Sequence, residues 1–263
     1  MIKVMFKIAS IGFALVFIAT ALSFAEQPQE GAVAAPPARI PKYERVTYNV
    51  RWLKAPVGKI VVSINGIKNI HGRDAYEVEI AAKTNDFCSK IYKIDDRYVS
   101  YVDMEGLYTL RHEVYRREGR YKKDAVTVFD QTNHKAYFKN FLDKSEKVFD
   151  IPPKVQDPVS AYYYFRTLPM SVGKGIDCWV SNNESNYHLF GVVEKKEIIS
   201  IPNIGQREAF FIQPYAKLGG RLVRKGKASG YFSRDEKRTP LVGVIKAPLF
   251  TAIIAELEKA EYL

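Results

Sequence analysis

From Tyr43 onward, apolar and polar residues change places at every step. Val46, Tyr48, Val50 and Trp52 alternate with Arg45, Thr47, Asn49 and Arg51, the signature of a strand with one face buried and the other in water. Lys54-Ala55-Pro56-Val57-Gly58 reads as a turn, after which Ile60, Val62 and Ile64 stand opposite Lys59, Ser63 and Asn65. Ile70-His71-Gly72 turns the chain again, into Tyr76, Val78 and Ile80 set against Glu77, Glu79 and Lys83. Alternating runs joined by short turns predict an antiparallel meander. Asn85-Asp86-Phe87-Cys88-Ser89 breaks the rhythm and predicts a single helical turn. Further strands are expected over about 92–103, 107–117, 121–130 and 145–150, and then over about 176–181, 187–200, 207–215, 226–233, 239–246 and 250–258. The stretch between 215 and 226 reads as an exposed basic loop.

One longer helix interrupts the strands. Asp157 offers a capping carboxylate, and Pro158 suits the first helical position, where its missing N–H has no partner to lose. The body Val159-Ser160-Ala161-Tyr162-Tyr163-Tyr164-Phe165-Arg166 is aromatic-rich, and Pro169 ends it. A helix this short does not stand alone and is expected to act as an apolar lid or plug. At 100° per residue Tyr162, Tyr163 and Tyr164 fan too widely to share one buried face. At least one of them should turn from the sheet, which with Phe165 makes this segment the candidate ligand contact. The pattern has no βαβ rhythm, so the expected fold is all-β: a large curved antiparallel sheet or open barrel with one short helix at about 157–167.

The start of the chain reads differently. Two lysines in MIKVMFK precede an uncharged run, IASIGFALVFIATALSF, that closes on small residues at Ser23 and Ala25. This is the three-part layout of a secretory signal peptide rather than a membrane span. The expected organisation is a signal at 1–25 cleaved near Ala25, a flexible leader at 26–42 rich in Pro, Ala and Gln, and one β domain over 43–263. The mature chain would then work in a bacterial periplasm without a stable membrane span.

Charge and cysteines narrow the partners. Forty Lys and Arg face 29 Asp and Glu, a net charge of +11, which suits lipid headgroups or acidic envelope polymers. Export would keep the protein away from nucleic acid. Basic residues gather at Arg116, Arg117, Arg120, Lys122 and Lys123 around one predicted hairpin tip, and at Arg221, Arg224 and Lys225 in the predicted loop. These form the candidate patch for an anionic partner. Cys88 and Cys178 are the only cysteines; in an oxidising compartment they are either a disulfide or two buried thiols.

Candidate chemistry is sparse. His71, His112, His134 and His188 lack the spacing of a metal site, and His112 shares an alternation face with Tyr108, Leu110 and Val114, as a core histidine would. No nucleophile motif is present. Asp95 and Asp96 are adjacent in a strand and point to opposite faces, so salt bridges to Arg97 or another strand account for them. No catalytic residue, metal or cofactor is expected.

Several stretches carry a resemblance. Val155-Gln156-Asp157-Pro158-Val159-Ser160-Ala161-Tyr162-Tyr163-Tyr164-Phe165-Arg166 resembles the DxLSAxYYLR stretch of the domain-of-unknown-function 3108 family of exported bacterial proteins. In the same order, YNVRWLKAPVG at 48–58 is similar to the family's opening strand and turn, and IYKIDDRY at 91–98 to its central strand. Gly119-Arg120-Tyr121 and Phe129-Asp130 follow, and SRDEKRTP at 233–240 is similar to its closing turn. The resemblance implies one curved antiparallel β domain. It implies no activity and no catalytic residues, and Cys88 and Cys178 lie outside the pattern. The expected function is a non-enzymatic periplasmic protein holding an apolar or amphipathic ligand, such as a lipid, in envelope maintenance. The alternatives are an interaction module docking on an envelope complex or cell-wall polymer and, third, an envelope hydrolase. The sequence leaves the oligomeric state open.

Overall fold

The structure, a computed structural model, describes residues 40–223, 227–246 and 251–262. The strands among them are β1 (Glu44–Trp52), β2 (Ala55–Ile70), β3 (Arg73–Thr84), β4 (Asp95–Asp103), β5 (Thr109–Glu118), β6 (Tyr121–Asp130), β7 (Lys135–Asn140), β8 (Glu146–Asp150), β9 (Gly175–Asn182), β10 (Ser185–Ile201), β11 (Gly205–Ile212), β12 (Tyr215–Leu218), β13 (Arg221–Leu222), β14 (Lys227–Ser233), β15 (Pro240–Lys246) and β16 (Ala252–Tyr262). Two helices accompany them, α1 (Asp86–Ser89) and α2 (Pro158–Thr167). The predicted signal and most of the leader lie outside the described residues. Ile40, assigned to the leader, packs against the main core, so the folded domain begins ahead of Tyr43.

All strands belong to one open antiparallel sheet in the order β13-β12-β10-β11-β14-β15-β16-β1-β2-β3-β4-β5-β6-β7-β8, with β9 added beside β10. The first strand lies inside this order, between β2 and β16. Its turns sit where left-handed backbone closes two-residue hairpins: Leu53 and Lys54 between β1 and β2, His71 and Gly72 between β2 and β3, Asn183 and Glu184 between β9 and β10. The first of these corrects the expected turn, because Ala55–Ile70 is already strand. Gly58 serves a different purpose: a Cβ there would lie 2.2 Å from the Lys83 carbonyl oxygen, so only glycine lets β2 and β3 approach.

The 17-residue β10 links two layers. Its second half pairs with β11 in the main sheet; its first half pairs with β9 and β12 in a smaller one. β11 and β12 are one strand interrupted at Gln213-Pro214. At that bend a Cβ on Gly191 would stand 3.0 Å from the Gln213 carbonyl oxygen. Most of the predicted 215–226 loop is therefore the β12–β13 hairpin, and Arg224 and Lys225 lie outside the described residues.

α2 fills the space between the layers. Val159 and Tyr163 enter a core built from Val46, Tyr48, Val62, Val78 and Tyr98. Ala161 and Phe165 enter a second one with Ile176, Val180, Leu189, Ile212 and Phe232. Two receiving faces resolve the tyrosine fan: Tyr162 packs on the first core and Tyr164 on the second. The expected lid is an internal spacer. Cys88 in α1 and Cys178 in β9 are separate buried free thiols, so the disulfide alternative gives way to the other. Each packs as a small apolar side chain, and burial raises the Cys178 thiol to about 12.

Candidate functional site

The helix chosen from sequence is held by two buried polar centres. At its C-terminal end Arg166 donates both terminal nitrogens to Glu44 on β1, at 2.6 and 2.8 Å, and Tyr163 donates its hydroxyl to the same carboxylate at 2.8 Å. Arg166 Nε donates to the Lys237 carbonyl oxygen. Burial opposes the guanidinium charge, but the Glu44 carboxylate outweighs it and raises the Arg166 pKa. At the other end Asp157, fully buried, caps the helix through Val159 N and Ser160 N and accepts from Ser100 Oγ and Thr109 Oγ1. His112 Nδ1 stands 3.3 Å from the same carboxylate, at the core position its alternation face implied. Tyr162 shares a hydroxyl hydrogen bond with Tyr48. Thus Tyr162, Tyr163 and Phe165 are occupied by protein partners, and Tyr164 is half-buried on the second core.

A third polar centre lies where β4, β5 and β6 face inward. Asp95 and Asp96 point to opposite faces, as expected. Asp95 pairs with Lys83 on β3, whereas Asp96 is buried and accepts from Arg117 N and Tyr98 Oη. Burial, assisted by neighbouring Glu118, raises the Asp96 carboxyl to about 7 against the Arg117 N–H bond. Because the folded chain holds this proton more tightly than the unfolded one, its contribution to stability is present below the ordinary aspartate range near pH 4 and is lost as pH rises to about 7. Asp96→Asn should flatten that part of the stability–pH curve, measured as thermal midpoints from pH 4 to 8. An unchanged slope would contradict this assignment.

The first basic cluster is divided by strand alternation. Arg116 and Lys123 face inward, Arg116 onto Glu118 at 2.5 Å and Lys123 toward Glu184 at 3.8 Å. Arg117 pairs with Asp124. Arg120 and Lys122 are exposed, so the expected five-residue patch does not form one surface. Arg221 is exposed on β13.

The sequence reading missed a cleft of about 470 Å³ beside the small sheet, lined by Asp150, Ile151, Pro152, Trp179, Asn186, His188, Lys217, Gly219 and Gly220. Trp179 remains 39% exposed although its strand neighbours Cys178 and Val180 are buried. Its ring stacks on His188 with centroids 4.9 Å apart; His188 stacks on Phe190, and Phe190 on Tyr215. Phe190 and Tyr215 therefore brace the cleft's rings from behind. Asp177 holds His188 Nε2 at 2.7 Å, and Lys217 Nζ lies 4.8 Å from the Phe190 ring centroid. The signal was available in the strand parity, which turns Trp179, His188 and Phe190 out from the face that buries Cys178 and Leu189. Among the described residues no group of three or more His, Cys, Asp or Glu side chains is placed to hold a metal ion.

The chain belongs to the DUF3108 family, described as a protein of unknown function, which matches residues 45–250. No curated protein matches it significantly. Among solved structures it is similar to a beta-barrel-like DUF1849 protein from Brucella abortus, at 9% identity and a TM-score of 0.55, over 86% of this chain and 99% of that one. This likeness shows the fold alone. A second structure, from Bacteroides fragilis, is described as a candidate exported protein with a YmcC-like fold. It has 12% identity and a TM-score of 0.30, over 87% of this chain and 100% of that one.

Proposed function

We propose that this DUF3108 chain is a non-enzymatic binding protein of the bacterial envelope, and that it holds an amphipathic ligand in the cleft beside Trp179. The observation that carries this reading is the rigid aromatic row, which keeps a large apolar ring in water at the wall of a concave site. Small-ligand sites have this character: mostly apolar walls with a few oriented polar groups, in volumes of roughly 300–1,000 Å³. The N-terminal run of basic, apolar and small residues supports a periplasmic address, with cleavage near Ala25. The protein interior is a weaker candidate for the ligand, since the aromatic residues of α2 already pack on the two cores.

The chain has two tryptophans, Trp52 on β1 and Trp179 in the cleft, so their indole N–H signals report separately. Soluble lipid and glycan fractions of a bacterial envelope, added to the isotope-labelled mature protein, should move the Trp179 signal and leave that of Trp52 in place. If no fraction moves Trp179, the reading fails.

A further inference from the structure

We propose that one rim of the main sheet docks on the surface of an anionic lipid bilayer. The proposal goes beyond the ligand role and uses a different surface, since none of the rim residues lines the Trp179 cleft. Strands β1 to β8 are sequential antiparallel neighbours, so their connections alternate between the two ends of the sheet. At one end lie the β1–β2 turn, the α1 segment between β3 and β4, the β5–β6 turn and the β7–β8 turn. The backbone joins neighbours along this end. Asn85 N donates to the Val57 carbonyl oxygen at 3.0 Å, Gly119 N to that of Lys93 at 2.8 Å and Phe141 N to that of Asp124 at 2.7 Å. The four connections therefore form one continuous rim.

Leu53, Phe87, Ile91, Tyr121, Phe141 and Leu142 belong to this rim, Phe87 73% exposed and the others at least 44%. The connections at the opposite end, residues 71–72, 104–108 and 131–134, carry no exposed large apolar side chain. Single exposed apolar residues need no explanation, but a group confined to one end marks a contact surface. What it contacts follows from the charges interleaved with it. Lys54, Lys90, Lys93, Arg120, Lys122 and Lys144 are exposed on the same rim, and none has a carboxylate partner among the described residues. Asp86 and Asp143 are the exposed carboxylates of these connections. The carboxylates just below them are already held: Asp95 by Lys83, Asp124 by Arg117 and Glu146 by Lys139. Cations are therefore in excess. Apolar side chains among unpaired cations suit a bilayer, where the first enter the interface and the second meet lipid phosphate. Turns at one end of a sheet can all meet one plane, and a bilayer presents one.

Sedimentation of the mature protein with phosphatidylglycerol or phosphatidylcholine vesicles tests this. Binding to phosphatidylglycerol should exceed that to phosphatidylcholine by at least about tenfold at low salt, and the gap should narrow as salt is raised. Lys54→Gln, Lys90→Gln and Lys93→Gln combined should weaken phosphatidylglycerol binding by about 30-fold or more. Phe87→Ala should weaken it by about tenfold, a loss that charge alone does not produce. Ile198→Ala, at an exposed apolar position on β10 outside the rim, should bind as wild type. All of these side chains are exposed, so thermal midpoints should stay near wild type. Equal binding to the two vesicle types, or binding to neither, overturns the proposal. Phosphatidylglycerol binding that survives Phe87→Ala unchanged also overturns it, because the contact would then be that of any basic surface. Capture of an envelope protein through Phe87, by a rim that binds no vesicle, assigns the surface to a protein partner and overturns the bilayer. The Trp179 indole signal reads the cleft separately, so failure here leaves the ligand role standing.

Discussion

Arg166→Met should lower the unfolding free energy by about 3–5 kcal/mol in urea titrations, the cost of leaving one member of a buried ion pair without the other. Glu44 would keep the Tyr163 hydroxyl but lose both guanidinium bonds, stranding a carboxylate inside the main core. The second variant separates charge from packing. Glu44→Gln combined with Arg166→Met removes the unpaired charge and should cost less than Arg166→Met alone, because isolated buried charge is the expensive part. A single-variant loss below about 1 kcal/mol would mean that water reaches this pair, as it does surface pairs.

Asp157→Ala is the second large effect. An ordinary exposed N-cap is worth about 1 kcal/mol. Here the carboxylate also accepts from Ser100 and Thr109 on the neighbouring strands, and each buried group left unsatisfied adds about 1–3 kcal/mol. The expected loss is therefore about 3 kcal/mol or more. Asp157→Asn keeps one acceptor oxygen for the helix and should fall between the alanine variant and wild type. A loss near 1 kcal/mol for the alanine variant would reduce Asp157 to a surface-type cap.

The contrast between these residues explains what could be read from the sequence. Asp157 and Pro158 announce a helix because capping is local, confined to neighbours along the chain. The pairing of Glu44 with Arg166 joins positions 122 apart, and nothing near either residue points to the other; Arg166 looks like a basic residue finishing a helix in solvent. Strand alternation was legible because one face of each strand meets the core. It failed at Leu53-Lys54, where two residues with side chains take left-handed backbone and the Pro-Gly signal lies further on, inside β2. The same alternation held the position of Trp179, but a lone aromatic in a strand ordinarily reads as core. What distinguishes it is the company of His188, Phe190 and Tyr215, which only the pairing of β9, β10 and β12 assembles.

The place of β1 between β2 and β16 joins strands that lie far apart in the sequence. Arg51 and Glu256, bonded across this seam, are separated by 205 positions, so the seam carries a high loop-closure entropy and a high contact order. Every other neighbour along the main sheet from β1 to β8 is a sequential hairpin that can close early. Before the 11 residues of β16 arrive, the protein is two arms, each with a raw edge, one at β1 and one at β15. A chain lacking Ala252–Tyr262 would keep both edges open to other strands, the condition under which sheets aggregate. Through its pairing with both β1 and β15, β16 joins the two halves of the main sheet.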